Sequence, residues 1–393
     1  MRLALLCDDA TVVPWLDAIA SDPTHEVVLA VTLSPRCAEI LRGRSGIRLT
    51  PHWEDLLAGK GFDTILVGGS DPTMLEAIKQ LASAGQKLLF LPGIDQGSTF
   101  VYELSLIRDD NHVSIIPALW HRCDPALIRT RELVRSSSLG RVQLLQFQRE
   151  IVSESSLVTQ ADINRALLAD IDLLRWLVGD YDQVTALRTG ASDAGVLTQS
   201  VKLAGKNLPE ATWDARASKT SGIRLTIHAE QGIATIELDV QSREWVLTDS
   251  NGERLLGNRG AAIRSFLSQL DVGTAGPVEW QELVRGFETV DATGRSVARR
   301  RTIDRAPHAR SGVGTRARHA GRDGADPRQP ALERPRGRTR RLHRRHRRGL
   351  ASPSRTWSSN GHHHGQWGAR TIGDFGDLAE WHGRGELHHH LGD

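Results

Sequence analysis

Cysteine is scarce in this sequence, and long apolar runs are missing. The three cysteines among 393 residues, Cys7, Cys37 and Cys123, are widely spaced and odd in number. They provide neither a disulfide framework nor a paired-cysteine metal site. No stretch approaches the roughly 18 apolar residues of a membrane span, and the first strand runs into Asp8 and Asp9. The sequence therefore predicts a soluble, cytoplasmic protein without a signal peptide.

Lysine is missing from the last part of the chain, although arginine is abundant there. Residues 305–393 contain 18 Arg, 8 acidic residues and 11 of the 16 His, but no Lys. This segment carries a net charge of about +10, whereas the first 304 residues carry about −7. The basic character of the protein belongs to this tail, and the body is acidic.

The tail also has few of the large apolar residues that a core needs. Five of the eight residues 334–341 are arginines, which repel one another. We expect residues 305–393 to be disordered. A GC-rich gene read out of frame explains this composition best. The alternatives are a basic arm that binds nucleic-acid phosphates, and metal binding by the histidines at 362–364 and 388–390.

Short apolar runs alternate with helical patterns over the first 120 residues, which is typical of a parallel sheet built from βαβ units. A doubly wound sheet of this kind binds ligands at the carboxyl ends of its strands. The pattern predicts strands at residues 2–7, 26–32, 64–67, 87–91 and 113–117, and helices at 14–20, 72–84 and 100–107.

Longer strands and hairpin signals dominate the second half. A strand at 141–151 and an amphipathic helix at 162–178 precede two strands, 223–229 and 233–240, that flank a Glu-Gln-Gly turn. Asn251-Gly252 marks a second hairpin, and helices at 261–270 and 280–292 follow. This order predicts an α+β domain with an open, mostly antiparallel sheet. No spacing of His, Cys, Asp or Glu before residue 305 is typical of a metal site.

Four local patterns carry a resemblance to a known family. Residues 121–142, from His-Arg-Cys-Asp-Pro to Leu-Gly-Arg-Val, are similar to a domain junction, and residues 172–180 to a helix that bears a catalytic histidine. Residues 81–87 and 287–304 match more weakly. Together they resemble the Gfo/Idh/MocA family, the glucose-fructose oxidoreductase and inositol dehydrogenase type of NAD(P)-dependent oxidoreductase, over residues 1–304.

The resemblance implies three parts. Residues 1–120 would be an α/β Rossmann-like domain of the dinucleotide-binding type. Residues 121–304 would be an α+β domain, with an open, mostly antiparallel sheet, for substrate binding and oligomerisation. Residues 305–393 would be the basic tail. The resemblance also implies NAD or NADP as cofactor and a sugar or polyol-like substrate against the second sheet.

The cofactor-binding and catalytic residues of the family are not matched here. The glycine-rich turn after the first strand is replaced by Cys7, Asp9 and Val12, and an acidic ribose-binding position falls on Leu33. A carboxylate at this turn would oppose the pyrophosphate, which needs N–H donors.

The catalytic positions are replaced as well. The family's Glu-Lys-Pro segment appears as Phe90-Leu91-Pro92, and its catalytic Asp and His fall on Arg165 and Ala169. Alanine has no titratable proton, so it cannot act as a general base.

By loop position, the residues expected nearest a dinucleotide are Asp8, Asp9, Ala10, Thr11, Ser34, Gly69, Ser70, Asp71 and Pro72. For the last four, a glycine turn followed by an Asp cap and Pro72 at the first helical position explains the pattern equally well.

Asp170 and His121 are the candidate replacements for the catalytic base, and Arg122 is the candidate substrate-binding residue. Each also has a structural explanation. Asp170 is more simply a solvated or paired carboxylate, and His121 a packed or hydrogen-bonded histidine. Arg122 is expected to pair with Asp124 at the junction. Trp176 and Trp280 are expected in the core.

Three functions remain open. The chain is a non-catalytic binding subunit with an oxidoreductase fold, an active divergent NAD(P)-dependent enzyme that uses Asp170 or His121, or a nucleic-acid binder through its tail. The first is favoured. We also expect a homo-oligomer through the second sheet, because an exposed apolar sheet face usually has a partner.

Overall fold

The structure is a computed structural model that describes residues 1–305, except 9, 70, 94–95, 137, 154–156, 191–194, 240 and 272–277. The predictions for the tail, including its disorder and its histidine runs, lie outside the described residues. Within the described part, two β-sheets are packed with eight α-helices. No helix there is long and apolar enough to cross a membrane.

The first sheet is parallel and doubly wound, as predicted. Its spatial order is β3-β2-β1-β4-β5-β6, so the strand order reverses between β1 and β4. Residues of both strands are almost wholly buried, which is typical of a sheet covered on both faces. The strands are β1 (Arg2–Cys7), β2 (Glu26–Val31), β3 (Arg48–Thr50), β4 (Thr64–Gly68), β5 (Leu88–Phe90) and β6 (Ile115–Pro117).

Capping residues fix where the helices of this half begin. The side chain of Ser34 accepts a hydrogen bond from the Cys37 N–H, and that of Asp71 accepts one from the Thr73 N–H. Pro72 occupies the first turn, where its missing N–H has no cost. The helices are α1 (Val13–Ala20), α2 (Pro35–Arg42), α3 (Pro72–Ser83) and α4 (Gly97–Asn111).

The second sheet has nine strands in the order β14-β13-β12-β11-β7-β10-β9-β8-β15. Its neighbours are antiparallel except for the parallel pair β7 and β10. The strands are β7 (Val142–Val152), β8 (Gln183–Thr189), β9 (Thr198–Ala204), β10 (Glu210–Ser218), β11 (Gly222–Ala229), β12 (Gly232–Leu238), β13 (Trp245–Thr248), β14 (Arg254–Leu256) and β15 (Ile303–Asp304). The predicted fold class is confirmed.

The remaining helices tie the two sheets together. They are α5 (Pro125–Arg135), α6 (Gln160–Val178), α7 (Arg259–Asp271) and α8 (Trp280–Arg299). Phe266 of α7 meets Trp15 of α1 edge to face, with ring centroids 5.8 Å apart, and Trp280 of α8 meets Phe90 of β5 at 5.5 Å. Trp176 and Trp280 are buried, as predicted. The first sheet therefore depends on helices from late in the chain.

Truncating Phe266 tests this dependence. Phe266→Ala removes a fully buried ring from the α1–α7 contact, so we expect the free energy of unfolding to fall by about 3–5 kcal/mol. Leu106→Ala, at a side chain 66% exposed on α4, is the control and should change it by less than about 0.5 kcal/mol. Equal effects of the two substitutions in denaturant titrations would contradict the packing described here.

Candidate functional site

The crevice where a dinucleotide would lie is formed by the carboxyl ends of β1, β4 and β5. Asp8 follows β1 and reaches across to the loop after β4. The backbone N–H of Asp71 donates to Oδ2 of Asp8 at 2.7 Å. A Cβ on Gly69 would clash with the same carboxylate, and Gly69 has a φ of +151° that favours glycine. A carboxylate of the chain itself therefore fills this position.

Gln96 closes the crevice from the β5 side. Its Nε2 donates to the carbonyl oxygen of Gly69 at 2.8 Å, and its Oε1 accepts from the N–H of Gly93 at 3.0 Å. The residue is 5% exposed. Because both ends of the amide are bonded, Gln96 links the loops that follow β4 and β5.

The other residues expected near a dinucleotide have mixed surroundings. Ala10 and Thr11 lie in a short 3-10 turn between β1 and α1. Ser34 is occupied as the cap of α2, and Pro72 lies in the first turn of α3. Asp9 and Ser70 lie outside the described residues.

The residues present do not fit a dinucleotide held in the usual way. Two of the three positions that need glycine hold the buried side chains of Cys7 and Val12. The Asp71 N–H that could meet an anion is bonded to Asp8. Leu33, at the ribose-binding position, is 46% exposed and has no hydrogen-bonding atom in its side chain.

Two of the three candidate catalytic and substrate residues, His121 and Arg122, come together at a second place, where β6 leads into α5. His121 and Arg122 lie in a 3-10 turn (Trp120–Cys123), and both contact Asp172 of α6. Arg122 donates from Nη2 to Asp172 Oδ1 at 2.5 Å and from Nε to Oδ2 at 3.0 Å, and His121 Nε2 lies 2.9 Å from Oδ2. The expected pair of Arg122 with Asp124 is wrong.

Asp124 has different partners because it caps a helix. Its carboxylate accepts from the N–H of Ala126 at 2.9 Å at the start of α5, and from the N–H of Asn258 at 3.1 Å. Burial raises its pKa, and these donors offset part of the effect. The carboxylate thus satisfies backbone groups, which leaves Arg122 to pair with Asp172.

Burial and charge act in opposite directions on Asp172. Burial raises its pKa, but the hydrogen bond from His121 and the paired Arg122 outweigh that effect and hold the pKa well below its usual range. Asp172 is therefore ionised, and the cluster of His121, Arg122 and Asp172 is a buried ion pair that holds α6 against the end of β6.

Asp170 points to the other side of α6, towards the second sheet. The Trp213 Nε1 of β10 donates to its Oδ2 at 2.8 Å, and the Arg149 Nε of β7 lies 3.6 Å from the same oxygen. Burial raises the pKa of Asp170, and Arg149 and Trp213 offset part of that rise. Asp170 is 4% exposed, so it is a paired carboxylate and not a solvated one.

An ion network extends from this cluster to α8. Glu282 Oε2 lies 3.3 Å from Arg122 Nη2 and 3.4 Å from Arg175 Nη2. Arg175 is buried and donates to Asp180 Oδ1 at 2.6 Å, and Arg285 donates to Asp180 Oδ2 at 2.6 Å. These alternating charges join α6 to α8.

Neither catalytic position of the family carries a titratable group near its predicted place. Leu91, where the lysine is expected, is 7% exposed, and its side chain packs against Gly68. Ala169, where the histidine is expected, is exposed on α6. Among the described residues, no group of three or more His, Cys, Asp or Glu could hold a metal ion.

Sequence analysis missed Gln96, Glu282, Arg149 and Trp213 as parts of these sites. One signal was available. Asp170, Asp172 and Arg175 interrupt an otherwise apolar stretch of α6, and charged residues on a buried helix need partners. The partners come from distant strands and helices, which a local pattern does not reveal.

Solved structures share this architecture. A myo-inositol dehydrogenase from Corynebacterium glutamicum is 17% identical and superposes with a TM-score of 0.64. The superposition covers 78% of this chain and 99% of that one. An oxidoreductase from Agrobacterium radiobacter, in complex with NAD+, L-tartaric acid and magnesium, is 15% identical, with a TM-score of 0.64 and coverage of 77% and 98%. The chain has the fold of these oxidoreductases.

A third structure agrees with the first two. The myo-inositol 2-dehydrogenase from Lactobacillus plantarum is 14% identical, with a TM-score of 0.62 and coverage of 77% of this chain and 99% of that one. Neither a protein-family model nor a curated protein sequence matches the chain. The resemblance stated from sequence motifs is therefore supported at the level of the fold.

Replacing Asp172 tests the buried ion pair. Asp172→Asn removes the carboxylate that meets two atoms of the buried Arg122 and leaves it only Glu282, at 3.3 Å, so we expect the free energy of unfolding at pH 7 to fall by about 3 kcal/mol. Glu237→Gln breaks the exposed Glu237–Arg224 pair and should cost less than about 1 kcal/mol.

The pH dependence of the same variant has a definite sign. A carboxyl whose folded pKa is lowered stabilises the protein above the unfolded value of about 3.9, and this contribution is lost as the pH falls further. The difference between wild type and Asp172→Asn should therefore narrow below about pH 4 in urea titrations. A difference that stays constant down to pH 3, or one that widens, would contradict the assignment.

Proposed function

We propose that this chain is a divergent member of the Gfo/Idh/MocA oxidoreductases that no longer carries out dinucleotide-dependent dehydrogenation and acts as a non-catalytic binding subunit. The observation that carries the proposal is the Asp8 carboxylate bonded to the Asp71 N–H in the crevice. The fold shared with dehydrogenases supports the family, and the crevice supports the loss of activity.

The electrostatics of the crevice support this loss. A pyrophosphate is held by N–H groups and by the positive end of a helix. Asp8 already meets the N–H of Asp71 and places a negative charge at the start of α3. A bound dinucleotide would have to displace this carboxylate or lie beside it, and like charges repel.

The candidate catalytic residues also support a loss of dehydrogenase activity. Hydroxyl deprotonation needs a base that reaches the substrate. Asp172 is held ionised by Arg122 and His121, so both Asp172 and His121 are committed to the ion pair. The position expected to bear the base is Ala169.

One observation favours the second candidate, an active divergent enzyme. Asp170 is a buried carboxyl with a raised pKa, and such groups cluster at functional sites. In that function Asp170 would accept a proton from a sugar or polyol-like hydroxyl, with NAD or NADP as the oxidant. The hydrogen bond from Trp213 and the burial of Asp170 favour a structural role instead. The nucleic-acid function rests on the tail, which lies outside the described residues.

Removing the Asp8 carboxylate tests the proposal. We expect the wild-type full chain to show no saturable binding of NADH or NADPH at millimolar concentration, followed by nicotinamide fluorescence and melting temperature, since a ligand of the folded state raises the latter. Asp8→Ala frees the Asp71 N–H and removes the repelling charge, so it should gain measurable binding.

Asp63→Ala is the matched control. Asp63 Oδ2 accepts from the backbone N–H of Arg2 at 2.7 Å, the same kind of bond at the opposite end of the same sheet, so this variant should not bind NADH. Saturable binding by the wild type would overturn the non-catalytic proposal and direct a substrate screen to Asp170→Asn and His121→Ala. Binding by neither variant would shift the cause from Asp8 to the buried Cys7 and Val12.

The expected homo-oligomer is a second part of the proposal. We expected an apolar contact between subunits, but the open face of the second sheet is largely polar. Cross-strand ion pairs Lys202–Glu210 and Arg224–Glu237 lie on it, with Leu187 and Ile233 as exposed apolar side chains. Sedimentation at micromolar concentration should show a dimer or tetramer whose dissociation increases with salt. A monomer would contradict it.

A further inference from the structure

A cavity lies beside the 3-10 turn that leads from the first sheet into α5. It has a volume of about 680 Å³, within the usual range for small-molecule sites. Four elements form its walls: α5, α6, α7 and the 3-10 turn before α5. It is separate from the crevice, since none of the crevice residues lines it.

Positive charge is in excess in this cavity. Arg122, Arg131 and Arg135 line it, together with one carboxylate, Glu132. Glu132 pairs with Arg129 at 3.1 Å, and Arg122 is neutralised by Asp172. Within the described part of the chain, no carboxylate pairs with the side chain of Arg131 or Arg135. Neither guanidinium group therefore has an ion-pair partner there, although Glu282 acts on Arg131 from a greater distance.

Arg131 packs against Trp176, but one of its hydrogen-bond donors has no partner. Its guanidinium carbon lies 4.6 Å from the centroid of the Trp176 ring, a cation–π contact that fixes the group against α6. Its Nε is buried and has no hydrogen-bond partner. Burial, with the charges of Arg135 and Arg122, lowers the pKa of Arg131. A buried donor without a partner is costly, and the chain therefore leaves part of the hydrogen-bonding capacity of Arg131 unused.

We propose that this cavity binds a small organic dianion, a phosphate monoester or a dicarboxylate, with Arg131 and Arg135 holding the charged end. The planar guanidinium fork matches both oxyanions, and two unpaired cations match two negative charges. The Trp176 ring and Ile128, which is 39% exposed, form an apolar wall for the carbon part. Ser265 and Gln269 of α7 supply neutral hydrogen-bonding groups.

Calorimetric titration of the full chain at low salt tests this proposal with two probes, phenyl phosphate and succinate. We expect saturable binding of at least one, and the one that binds more tightly identifies the class. Arg135→Gln, at an exposed residue whose loss spares the fold, should weaken binding about tenfold or more. Arg131→Gln should weaken it further, and Arg131→Lys, which keeps the charge but loses the fork, should bind with intermediate affinity.

Arg224→Gln is the matched control. It removes one arginine from the open face of the second sheet, outside the cavity, and should change affinity by less than about twofold because distant surface charges are screened. No saturable heat from either probe at about 10 mM would overturn the proposal, because such a site would be weaker than any specific one. Unchanged binding by Arg135→Gln and Arg131→Gln would overturn it equally.

Discussion

A carboxylate that is removed from water must be paired, and Asp172 takes its partners from the turn that follows the first sheet. Arg122 and His121, which follow the last strand of the first sheet, meet it on α6. Glu282 and Arg175 extend the pairing to α8, which packs against the first sheet through Trp280. Ion pairs as well as apolar contacts therefore hold the two sheets against each other.

Under the proposed function, the residues that secure the junction are not available for catalysis. By the family resemblance, the cofactor would lie on the first sheet and the substrate against the second. Here the carboxylate, the imidazole and the guanidinium that could act on a hydroxyl are bonded to one another, and the crevice amide of Asp71 is bonded to Asp8. Both groups of interactions stabilise the folded chain and leave few donors or acceptors for a ligand at these two places.

Much of the fold could be predicted from the sequence because it follows local rules. Ser34 and Asp71 mark helix starts, and Asn251-Gly252 marks a hairpin, by chemistry within a few residues. The short strand β3 was missed because three residues carry too little pattern. The contacts of Gln96 with Gly69, and of Asp170 with Trp213, join residues 27 and 43 positions apart. Only the folded chain brings such pairs together.

The chain itself supplies the hydrogen-bond partner of the Asp71 N–H in the crevice, the Asp8 carboxylate. Hydrogen–deuterium exchange of the segment that contains Asp71, measured on the full protein with and without millimolar NADH, tests it most directly, because a bonded amide exchanges only when its bond opens. We expect slow exchange that NADH leaves unchanged. Fast exchange in the free protein that slows when NADH is added would contradict it.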